Sequence, residues 1–149
     1  FSFAHHFADY DPASAMLSYR EAFKPSAVRP TPYAILACAA VCADTDRDAQ
    51  RLASTIDLNF VRRQRGEYLP LASPGEAEAF PYSVAERALI ARNRARLFVG
   101  TKDAVLARLE PLIAATKADE IMVTTMIYDH NARRRSYELL AQAFGLGSQ

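Results

Sequence analysis

The chain has 149 residues, half of them apolar, with 18 Lys and Arg against 17 Asp and Glu. That length allows one ordinary domain with a real core, and the apolar content argues against disorder. The charge balance gives no general pull toward nucleic acid or anionic membrane, no apolar run approaches the roughly 20 residues of a membrane helix, and no secretory leader pattern opens the chain, so a cytoplasmic protein is expected.

Residues 1–7, FSFAHHF, read as a strand by aromatic content and alternation. If extended, Phe1, Phe3, His5 and Phe7 share one face, and Ser2, Ala4 and His6 the other. Asp11-Pro12 looks like a helix start, with the Asp capping and the Pro at the first helical position. Ala13, Met16, Leu17 and Phe23 give that helix an apolar stripe, and Lys24-Pro25 ends it. A loop with Pro25, Pro30 and Pro32 follows.

Tyr33 to Ala43 is a continuous apolar run, suited to a strand buried on both faces of a parallel sheet. It holds the only cysteines, Cys38 and Cys42, read as buried reduced thiols. Thr45 with Asp48 resembles a capping box, opening a helix with Leu52, Ile56 and Phe60 on one face. Arg62 to Phe80, with Gly66, Pro70, Pro74 and Gly75, reads as an irregular excursion. Ser83 and Glu86 form a second capping box and open a helix through about Arg96. Gly100-Thr101 starts a further helix, in which Pro111 predicts a kink or a split. Glu120 to Ile127 reads as a strand. Asp129 caps a last helix with Leu139 and Leu140 inward and Gly145 at its C-terminal cap.

Strands alternating with helices predict a parallel sheet in an α/β fold. Three strands close poorly by themselves, and the first begins at residue 1. The chain therefore reads as the back part of a larger α/β protein. A full (β/α)8 barrel needs about 250 residues, so this chain would supply only its last three strands.

FSFAHHF with the capped helix ending in YREAFKPS resembles the later part of the luciferase-like, flavin-dependent monooxygenase family. So does VGTKDAVLARLEPLIAATKADEIMVTTMIYDHNARRRSYELLAQAF at the other end. The resemblance runs in the family's order over nearly the whole chain. It implies the C-terminal portion of a TIM (β/α)8 barrel: the last three β/α units in a single domain over residues 1–149, with an irregular insertion at about 62–82. It also implies reduced FMN and O2 acting on a small organic substrate. A deazaflavin-dependent hydride transfer on the same fold is one alternative, and a catalytically silent half-barrel acting as an interaction module is another. The segment with which the family grips the flavin phosphate has no counterpart here. The chain alone is therefore expected to hold little or no flavin, and to associate with itself or with a missing N-terminal half.

Under this reading His5 and His6 end a barrel strand, where barrel active sites lie. The resemblance places at least one of them in the pocket as a catalytic residue. Alternation favours His6 inward, on the side of the small Ser2 and Ala4, and leaves His5 beside the helices. Facing opposite ways, the two cannot chelate one metal without a bulge, and no metal is expected. Ordinary strand-end histidines bonded to backbone or water are the alternative. Thr124, Thr125, Tyr128 and His130 end the last strand, and their hydroxyls and imidazole could contact a flavin. The alternative is that the threonines are plain strand residues and that Asp129 and His130 only begin the helix. Gly100-Thr101 reads as a simple cap, with anion binding at the helix N-terminus as the alternative. The runs Arg87 to Arg96 and Arg133 to Arg135 read as solvated basic faces, since neither is interleaved with stacking aromatics as nucleic-acid binding would require.

Overall fold

The apolar runs form strands shorter than themselves, all parallel and all paired to one central strand. The computed structural model describes residues 1–146. In chain order the elements are β1 (Ser2–Ala4), α1 (Pro12–Ala22), β2 (Ile35–Cys42), α2 (Asp46–Gln64), α3 (Pro74–Ala79), α4 (Val84–Arg94), β3 (Leu97–Gly100), α5 (Lys102–Thr116), β4 (Glu120–Thr124) and α6 (His130–Ala143). The α/β class and the parallel sheet are as the alternation predicts.

β2 is the hub. Ser2 to Ala4 pair with Ile35 to Ala37, and Leu97 to Gly100 with Ala39 to Cys42. Glu120 to Thr124 pair with Ile35 to Ala39. The N–H and C=O of one strand residue point to the same edge, and the edge alternates along the strand. Ile35 N–H donates to Phe1 O, His5 N–H to Ala37 O and Ala43 N–H to Gly100 O, whereas Asp119 N–H donates to Ala34 O. Odd-numbered positions of β2 thus serve β1 and β3 in succession on one edge, and even-numbered ones serve β4 on the other.

This order dictates where the helices lie. A crossover between parallel strands is right-handed. The steps from β1 to β2 and from β3 to β4 cross the sheet in one sense, so α1 and α5 lie on one face. The step from β2 to β3 goes back, so α2 lies on the opposite face. The cores separate accordingly. Met16 of α1, Leu36, Cys38, Ala40 and Cys42 of β2, Phe98 of β3, Val105 and Leu109 of α5, and Leu139 and Leu140 of α6 form the first. Val41, Ala43, Leu97, Val99 and Ile127 meet Ala49 and Ala53 of α2 in the second. That second core covers only the C-terminal half of β2. Nearer the strand starts Ser2, Ala4 and Glu120 are exposed and Met122 is 53 % exposed. Both thiols are buried, and burial pushes Cys38 up to about 12 and Cys42 up to about 11.

Five expectations need correction, one being the strand expected over Glu120 to Ile127, which ends at Thr124. The strand expected over residues 1–7 ends at Ala4, because Phe7 N–H and Ala8 N–H turn back onto Ala4 O. Leu97 to Gly100 form a strand that the sequence reading passes over, which raises the strand count from three to four. The excursion expected from Arg62 contains α3, opened by a capping box in which Ser73 and Glu76 each satisfy the other's backbone N–H. Finally, α5 runs without a break through Pro111. Pro111 removes the donor that Ala107 O would have had, but Ala107 and Pro111 are both exposed, so water can replace it. The caps at Asp11, Thr45, Ser83, Thr101 and Asp129 form as expected, each side chain accepting a first-turn N–H. Gly145 adopts φ 68 after α6, the left-handed conformation its role as a cap requires.

Candidate functional site

The C-terminal ends of the strands carry the chemistry-bearing residues in two groups, one on each side of β2. The first is the turn after β1. His6 Nδ1 lies 3.1 Å from Ala37 O. A carbonyl only accepts, so Nδ1 bears the proton in the neutral ring and the Nε2 lone pair is left available. His5 lies 6.1 Å from the Phe98 ring, on the side of the first core as alternation predicts, and its Nδ1 is buried without a partner among the described residues. Burial, reinforced by Arg96 and by His6 and opposed by Asp11, holds its imidazole below the ordinary 6.5. His5 is therefore held toward its neutral form. Adjacency in sequence does not make the two histidines a pair.

The second group lies where β4 meets α6. Thr124, Thr125, Met126, His130, Arg133, Arg134 and Tyr137 line a concavity of about 500 Å³. The elements position it closely. Ser136 Oγ accepts the Cys42 N–H at 2.9 Å, and Tyr137 OH accepts the Thr125 N–H at 3.2 Å. Arg135 binds Asp44 through both carboxylate oxygens, at 2.6 and 3.2 Å, and so anchors α6 to the end of β2. Arg133 Nη2 donates to His130 Nδ1 at 3.1 Å, which leaves the His130 proton on Nε2. Thr125 is buried, and its Oγ1 has no hydrogen-bond partner among the described residues.

The structure thus brings Thr124, Thr125 and His130 together, as the sequence predicts, and leaves Tyr128 out. Tyr128 is exposed and does not line the concavity, because the chain past Thr124 has left the strand and is turning toward the α6 cap. Met126, Arg133, Arg134 and Tyr137 were not expected there. The signal for three of them was present: His130, Arg133, Arg134 and Tyr137 stand at i, i+3, i+4 and i+7, one face of a helix. The Arg run is correspondingly not a uniform solvated face. Nor is the other: Arg94 binds the buried Asp57 through Nε and Nη2 at 2.7 and 2.8 Å, and Arg96 contacts the turn after β1. A further concavity of about 590 Å³ lies between β1 and α1, and its one carboxylate, Asp11, is engaged in capping α1.

The donor set suits one side of a flavin. Thr125 Oγ1 lacks a partner, Thr124 supplies a second hydroxyl, and the Arg133 guanidinium has no carboxylate partner among the described residues. Such groups can bond ring carbonyls while Met126 offers an apolar contact.

The chain matches no protein-family profile. It is 37 % identical over 139 residues to a luciferase-like monooxygenase of Escherichia coli, covering 93 % of this chain and 42 % of that protein. It is 36 % identical to the uncharacterized protein YwcH of Bacillus subtilis, over 97 % of this chain and 44 % of that one. The crystal structure of apo-MsnO8 superposes with a TM-score of 0.89 at 34 % identity, over 99 % of this chain and 45 % of that chain. The oxygenating constituent of 3,6-diketocamphane monooxygenase from Pseudomonas putida, a type II Baeyer-Villiger enzyme solved with FMN, shares the fold at a TM-score of 0.56 and 19 % identity. The chain spans less than half the length of these relatives.

Proposed function

We propose that this chain is the C-terminal part of a luciferase-like flavin-dependent monooxygenase, contributing the last three strands of a (β/α)8 barrel as β1, β2 and β4, which pair in that order, with the short β3 outside that set and an insertion at about 62–82. The observation that carries the reading is the placement of both polar groups, the histidine turn and the β4–α6 concavity, at the C-terminal ends of parallel strands. That is the end where barrel enzymes build their sites. The identity with the Escherichia coli luciferase-like monooxygenase supports it, because it extends over 93 % of the chain.

In this reading Thr124, Thr125, His130 and Arg133 hold the polar rim of the flavin. When bound, reduced FMN supplies the electrons with which O2 oxidises a small organic substrate. His6, fixed by its Nδ1–H bond to Ala37 O, presents Nε2 as a base or hydrogen-bond acceptor. His5 stays neutral and packs beside Phe98. The open face near Met122 receives the rest of the barrel, or a second copy when that is absent. The setting proposed is cytoplasmic; among the described residues no helix is long and apolar enough to cross a membrane.

The experiment is substitution of each histidine in the protein with the whole barrel. His6→Ala should slow turnover by about 10²–10⁴-fold, or release hydrogen peroxide in place of product, with the melting temperature held. His5→Ala should change mainly stability, by about 1 kcal/mol. Unchanged turnover and coupling in His6→Ala would remove the histidine from the mechanism.

A further inference from the structure

The turn that carries His5 and His6 is forced by the sheet. Ala4 pairs with Ala37, and Leu97 pairs with Ala39 on the same edge of β2. Only the position of Cys38 separates the end of β1 from the start of β3, so the chain must leave the edge at His5. In leaving, it exposes carbonyls that have no strand to bond, and such groups need another donor.

Arg96, the residue just before β3, supplies it. Its Nη1 lies 3.3 Å from Phe7 O, 3.1 Å from Ala8 O and 2.9 Å from Asp9 Oδ1. Asp9 is 91 % exposed, so that ion pair contributes little in water. The two carbonyl contacts are different. They bind backbone, and the Arg96 side chain is only 21 % exposed. On the other side of the turn Phe7 N–H and Ala8 N–H both close on Ala4 O. We infer that Arg96 is a positioning residue for the histidine turn: from the junction of α4 and β3 it grips the backbone of Phe7 and Ala8 and sets how His5 and His6 leave β1. The catalytic meaning of the turn rests on the function proposed above, but the grip itself does not. It also ties α2 to the turn, since Arg94, two residues earlier, binds Asp57 of α2.

The test uses the 149-residue chain without cofactor, so a negative flavin titration does not bear on it. Amide hydrogen exchange at Phe7 and Ala8 and the ring titration of His5 are read by NMR. In Arg96→Ala, exchange at these two amides should speed by about tenfold relative to β2 amides, the scale of losing bonds to a charged donor. The His5 midpoint should rise toward the ordinary value, the remaining neighbours being His6, which lowers it, and Asp11, which raises it. Arg96→Lys keeps the charge but loses the planar fork. It should speed exchange by an intermediate factor while the His5 midpoint stays low. Asp9→Ala should change neither. Exchange at Phe7 and Ala8 that follows the β2 amides in both Arg96 variants would overturn the inference, and so would Asp9→Ala reproducing the loss. Should Arg96→Ala fail to fold, the Arg96→Lys result decides by the same criterion.

Discussion

The two faces of the sheet are held by different physics. On the face of α1, α5 and α6 the contacts are apolar: Met16, Leu36, Val105 and Leu109 are wholly buried. On the other face α2 brings a smaller core and packs Leu58 against Ala72 and Ala77 of the α3 region, while α4 is attached largely by polar contacts. Asp57 binds Arg94, Arg65 binds Glu86, and Arg65 and Arg87 lie over the rings of Phe80 and Tyr82. No residue of α4 is fully buried. The first face is thus built to be stable and the α4 layer to be adjustable, since few buried apolar contacts mean a low local opening energy.

Core truncation gives the largest expected difference. Leu36→Ala or Leu109→Ala should cost about 2–5 kcal/mol. Met122→Ala, on the open part of the other face, should stay within about 0.5 kcal/mol in this chain when it is dilute enough to be monomeric. Urea unfolding of the three variants measures this. Equal losses would mean that Met122 is covered in solution, by a second copy or by another segment.

The polar layer comes next. Burial pushes the Asp57 carboxyl up despite Arg94, so the pair stands near the balance between desolvation and attraction. Asp57→Ala, which strands the guanidinium, should cost about 3 kcal/mol. The double change Asp57→Leu with Arg94→Met should cost much less. A loss below about 0.5 kcal/mol in the single variant would make the pair an ordinary screened surface contact.

The smallest effect is that of pH on His5. Because its imidazole is held below 6.5 in the fold, the unfolded chain takes up the proton first as pH falls. The stability this site contributes is therefore full above about pH 6.5 and is lost progressively below it. His5→Gln should flatten that part of the stability profile, read from denaturant midpoints between about pH 5 and 7.5. An unchanged slope in His5→Gln would assign the pH dependence elsewhere.

Much of this was legible because it is local. Asp11, Thr45, Ser83 and Asp129 announce helix starts through side-chain to backbone bonds spanning three residues. The same logic would have found α3 from Ser73 and Glu76, but Pro70, Pro74 and Gly75 masked it. β3 escaped because four residues give no periodicity and its pairing with β2 is set by the chain's return across the sheet. In the site, Thr124, Thr125 and His130 were legible from their place at a strand end. Arg133, Arg134 and Tyr137 were missed because a run of arginines was weighed as composition and not by helical spacing. The role of Arg96 depends on a contact with Ala8 across 88 positions in sequence, which local pattern cannot reveal.

The most direct test of the central claim is an FMN titration, followed by flavin fluorescence, of two proteins side by side. One is this chain alone. The other is the Escherichia coli luciferase-like monooxygenase in which the 139 matched residues are replaced by this chain. The account predicts saturable binding by the chimaera and none of useful strength by the chain alone. A low-micromolar dissociation constant for the isolated chain, about −8 kcal/mol, or a folded chimaera that does not bind FMN, would contradict it.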